Sequence, residues 1–232
     1  MADASRDLTA ELVKLVQAMQ EIKAEEDSRV NSYEIFVNQK QTHIRNSRGV
    51  DVTFSGFDCE IEVVTNSRKD DHEIEIYKDL RFSDKSAEKI IAEVRGMFHT
   101  GRQRLNAVPT RQNEHADVLL TGNAVGSFFQ YFAMHTNASY QCMGVAKAKI
   151  GEAITGADAD PLNIRLVPTL DGSAKNAPYD ETGMPVAERV LFENGICRSY
   201  WGSLQHAHYI GMKDTTSMNN MVVEGGSKTL DE

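Results

Sequence analysis

Apolar residues recur at helical spacing over residues 8–26. Leu8, Leu12, Leu15, Val16, Met19 and Ile22 form the stripe, with Glu11, Lys14, Lys23 and Glu25 between them. This pattern predicts an amphipathic helix whose apolar face has to be covered by something. From Arg29 the period drops to two. Residues 33–46, 50–66 and 72–82 alternate and are rich in strand formers. Polar turns at 46–49 and 67–71 separate them, and Gly56 marks a bend in the second. Three such runs joined by short turns predict an antiparallel meander. A second helix is expected over 87–101, with Ile90, Ile91, Val94 and Phe98 on one face and Ser83 or Ser86 as its N-cap.

The polar stretch 106–115, which contains Pro109, is the expected boundary. Beyond it, residues 116–121 read as a short apolar strand. Residues 122–135 read as a helix that turns Phe128, Phe129, Phe132 and Tyr131 into a core. Residues 137–160 and 171–185 are expected to be loops, and 163–170 a strand. In residues 187–201 two alternating runs flank Asn194-Gly195, the signature of a type I′ hairpin turn. Strands grouped in this way, with helices between groups, argue for an α+β fold with antiparallel sheets. The expected divisions are an N-terminal helix (1–27), a central β-plus-helix region (28–107) and a further domain (113–232).

A chain of 232 residues is long enough to bury a real core. With 41% hydrophobic and 25% charged residues, no run is long enough to cross a bilayer. The first residues lack the basic-then-apolar order of a secretory leader. These features point to a cytoplasmic protein without membrane contact. A net charge of -9 repels a phosphate backbone and argues against nucleic-acid binding. Cys59, Cys142 and Cys197 are far apart and show no CxxC spacing. They read as reduced, buried thiols.

None of the seven histidines falls in HExxH. His206 and His208 would share a face on a strand and be split on a helix. With Glu193 or Asp180 they would make a non-standard metal site. The carboxylate pairs Asp158/Asp160 and Asp180/Glu181 match no calcium loop, and there is no GxSxG elbow or phosphate loop. From the residues alone, the reading stops at an acidic α+β protein without a recognisable active site.

Several segments, taken in order, resemble the TldD/PmbA family, once called modulators of DNA gyrase. They are RNSRGVDVTF (45–54), HEIEIY (72–77), ADVLLTGNAVGSFFQYF (116–132), KIGEAI (149–154), APYDETGMPVAERVLFENGICRSYWGS (177–203), HAHYIG (206–211) and VVEGGS (222–227). The family is similar to cytoplasmic peptidases. Its active members carry HExxxH at the start of a helix, hold zinc with the two histidines and a C-terminal cysteine, and use the glutamate as general base. At the matching positions this chain has Thr121, Gly122 and Gly126.

The resemblance therefore implies a PmbA-like, non-catalytic member without a cofactor, zinc being expected only in an active homologue. Its N-terminal domain is reduced to one helix, and it stops short of the C-terminal cysteine. It implies binding of extended peptides or small unfolded proteins, with Tyr179, Asp180, Glu181 and Asn194 as contacts. It also implies assembly as a homo-oligomer or with a TldD-like subunit. The alternatives are an active metallohydrolase built on His206 and His208, and a self-assembling structural protein of the same fold.

Overall fold

The computed structural model describes residues 6–110, 112 and 115–226. Ser227, the last residue of the C-terminal family-like segment, lies outside them, as do Arg111, Asn113 and Glu114 in the expected boundary. The described chain forms two compact units. The first comprises residues up to 42 together with 53–116 and 171–174; the second comprises 43–52, 117–170 and 175–232.

In the first unit, helix α1 (Leu8–Gln20) starts at Asp7, whose carboxylate accepts the N–H groups of Thr9 and Ala10. It ends six residues earlier than the apolar pattern suggests. Ile22 reaches the core from the turn beyond the helix, so the stripe outlasts the element. Strands β1 (Ser28–Arg45), β2 (Asp51–Lys69) and β3 (His72–Phe82) form the meander in that order. β2 and β3 pair antiparallel, with Ile61 opposite Leu80 and Val63 opposite Lys78.

Alternation along β2 puts Phe57, Cys59, Ile61, Val63, Thr65 and Ser67 on the buried face. Helix α2 (Ala87–Leu105) covers that face with Ile90, Val94, Met97 and Phe98, and α1 adds Leu15 and Met19. Its cap is Ser86, which accepts the Lys89 N–H; Ser83 instead donates its backbone N–H to Gly172.

The second unit is built on a four-stranded antiparallel sheet, ordered β6-β5-β4-β7. Its strands are β4 (Ile164–Val167), β5 (Arg189–Glu193), β6 (Ile196–Cys197) and β7 (Asn220–Val223). The β5–β6 turn has positive φ at both Asn194 (50°) and Gly195 (76°), as a type I′ turn requires. Helices α3 (Asn123–His135), α4 (Ala138–Cys142) and α5 (Leu204–Tyr209) complete it. Trp201 ties α3 to the core by donating its indole N–H to the Ala133 carbonyl at 2.8 Å. α4 lies inside the stretch expected to be loop.

Three further expectations fail here. Residues 116–121 form no strand, since they join neither sheet among the described residues. Phe128 and Tyr131 are half-exposed rather than core. A single helix face cannot bury 128, 129, 131 and 132 at 100° per residue, so only Phe129 and Phe132 pack on the core cluster. Cys142 is exposed, while Cys59 and Cys197 are buried as expected.

Candidate functional site

Helix α3 begins abruptly. Gly122, its N-cap, sits at φ 57° and ψ −135°, a conformation open to glycine alone, and supplies no side chain to cap the first turn. The three positions that the resemblance sets against the zinc motif, Thr121, Gly122 and Gly126, are all exposed. Thr121 offers a hydroxyl, and Gly122 and Gly126 offer no side chain, with open space where a Cβ would stand. Zinc held for hydrolysis needs imidazole, thiolate or carboxylate ligands, and these residues do not fit it.

Apolar side chains crowd the same region. Val118 and Leu119 are 76% and 75% exposed. Val118, Leu120, Val125, Phe128 and Phe129 line a shallow apolar hollow of about 490 Å³. Phe128 and Phe129 also belong to a larger groove of about 890 Å³, whose other walls include Phe132, Leu162 and Val223. The rings of Phe128 meet Phe129 and Phe132 edge to face, with centroids 5.2 and 5.6 Å apart. Val223 belongs to β7, one of the two edge strands of its sheet among the described residues.

Sequence reasoning assigned Phe128, Phe129 and Phe132 to the core and missed the groove. The available signal was the width of the apolar arc, too broad for one buried face.

The expected peptide contacts occupy other places. Asp180 is buried, and its carboxylate accepts the N–H groups of Thr182 and Met184 and the Thr182 hydroxyl, closing a turn at 2.7–3.0 Å. Asn194 makes the hairpin turn and donates its N–H to Asn163 at 2.7 Å. Tyr179 and Glu181 flank the Asp180 turn, and neither lines the groove.

His206 and His208 stand two apart on helix α5, so their rings diverge. His206 is occupied by Ser203 at 2.8 Å. Among the described residues, no three His, Cys, Asp or Glu side chains gather as a metal would need.

At the far end of α3, His135 is buried and accepts the Lys147 N–H on Nδ1 at 3.2 Å. Burial, reinforced by the Lys147 charge, lowers its pKa from the ordinary 6.5.

The sequence profile described as the PmbA/TldA metallopeptidase C-terminal domain matches residues 113–232. The chain belongs to the TldD/PmbA family. Solved structures share the family fold at low sequence identity. TldE from Thermococcus kodakarensis superposes with a TM-score of 0.71 at 19% identity, over 97% of this chain and 53% of that one. A proposed DNA gyrase modulator from Thermotoga maritima gives 0.65 at 17%, over 98% and 54%. One from Bacteroides thetaiotaomicron gives 0.63 at 16%, over 98% and 52%. This family member thus spans about half the length of the solved chains it resembles. No curated protein matches it in sequence. Among the described residues, no helix is long and apolar enough to cross a membrane.

Proposed function

We propose that this TldD/PmbA protein binds extended peptides without hydrolysing them, either alone or as the partner of a zinc-bearing homologue. One observation carries the reading: an apolar groove runs beside a helix whose metal-motif positions hold Thr121, Gly122 and Gly126. A groove of this kind fits an extended chain. The phenylalanine rings would take apolar side chains, and β7, with one edge unpaired among the described residues, would offer backbone donors and acceptors without regard to sequence. The exposed Val118, Leu119 and Leu120 make a partner surface for a TldD-like subunit or a second copy.

The test uses the purified full chain. A blocked, dye-labelled extended peptide should bind, and Phe128→Ala should weaken it while leaving stability little changed, because that ring is 50% exposed. Unfolded casein should survive with or without chelator. Failure to bind any peptide, or cleavage that a chelator abolishes, refutes the proposal.

A further inference from the structure

The groove beside α3 is electrostatically one-sided. Phe128, Phe129, Phe132 and Leu162 make it apolar, while Asp160 and Glu224 add two carboxylates. Among the described residues, no Lys, Arg or His lines it. Both acids are exposed, and neither is ion-paired with a described residue. The Glu224 backbone is held in place by its N–H to the Asn163 carbonyl at 3.1 Å. The nearby Arg165 does not answer that charge, because it pairs with Glu188 at 3.1 Å.

Carboxylates with no ion-pair partner among the described residues, set beside phenylalanine rings, complement a side chain that is cationic at its tip and apolar along its stem. A lysine or arginine lays its methylenes on apolar surface while its head reaches the carboxylates. Its cation is also attracted to the face of an aromatic ring.

We infer that the groove selects extended peptides in which a large apolar side chain neighbours lysine or arginine. The apolar residue sits against the phenylalanines and the cation reaches Asp160 and Glu224. The inference rests on the peptide-binding reading above and narrows its substrate class.

The experiment uses the full chain at low salt, where exposed charges are least screened. Three blocked, dye-labelled peptides share a Leu-Leu-Phe centre and carry Lys, Gln or Glu on both flanks. Binding is read by fluorescence anisotropy. The Lys peptide should bind about tenfold more tightly than the Gln peptide, the factor that ~1.4 kcal/mol represents, and the Glu peptide most weakly.

The net charge of -9 would favour any cation, so the local groups are tested directly. The double variant Asp160→Asn/Glu224→Gln should lose the preference for Lys over Gln and bind the two peptides alike. The control Glu62→Gln/Asp79→Asn, in the other unit, should keep the preference. If all three peptides bind equally, the selectivity is overturned and peptide binding stands. A Lys preference that survives in the groove variant, or disappears in the control, also overturns it. If none of the three binds, both readings fall.

Discussion

Helix α2 contains two glycines in opposite surroundings, and the same substitution should move stability in opposite directions. Gly96 is exposed, and a Cβ built there meets nothing within 4 Å. Gly96→Ala therefore gains only helix propensity, about 1 kcal/mol. Gly101 is buried against β2, and a Cβ there would overlap both Oγ and Cβ of Ser67. That serine shares a buried hydrogen bond of 2.8 Å with Ser28.

Gly101→Ala gains the same propensity, about 1 kcal/mol. Against it stand overpacking, about 1–3 kcal/mol, and a displaced hydroxyl pair, about 1 kcal/mol. The net loss is about 1–3 kcal/mol once the propensity gain is subtracted. Urea unfolding followed by far-ultraviolet circular dichroism reads both variants. Adding Ser67→Ala to Gly101→Ala should recover part of the loss, because the overlapping oxygen is gone. If both glycine variants stabilise alike, the close approach of α2 to β2 at this point is wrong.

Other expectations follow from single side chains. His135 has a lowered folded pKa, so the unfolded chain binds its proton more readily. Its contribution is intact above the ordinary 6.5 and is lost as the pH falls below that value toward the folded pKa. The stability difference between wild type and His135→Gln should shrink over that window, and a difference flat with pH contradicts the burial of the ring. Cys142 is exposed, whereas burial pushes the Cys59 and Cys197 thiols up to about 11. A disulfide reagent should therefore titrate one thiol natively and three after denaturation; three fast thiols in the native protein would refute this. Gly195→Ala should cost about 1–3 kcal/mol, since its φ is positive and a Cβ would run into Thr155. A thermal melt unchanged from wild type would deny that strain.

Period and turn chemistry made the meander and the Asn194-Gly195 hairpin legible in the sequence, because both are decided by neighbours in the chain. The segment 116–121 was not. Its apolar run meets the composition of a strand, but pairing depends on a partner that the local sequence does not name. The same limit hid the groove. Phe128 and Phe132 look alike in the sequence, yet one is half-exposed and the other packs on Phe192 with centroids 6.3 Å apart. Leu162 and Val223, far away in the chain, complete the walls only after folding. That Thr121, Gly122 and Gly126 carry neither imidazole nor carboxylate needed no structure to be seen.

Gly183, at φ 82°, sits so close to Val50 that a side chain there would collide with it, and Ile44 and Val52 stand within 3.5 Å of the same point. Those three residues come from the tip of the β1–β2 hairpin, over sixty positions upstream of where the family profile begins at 113. Scissors applied at that profile boundary would therefore sever ten residues from the body they help to close. Anyone wishing to produce the C-terminal half separately should graft 43–52 back, or expect a raw apolar flank and poor solubility.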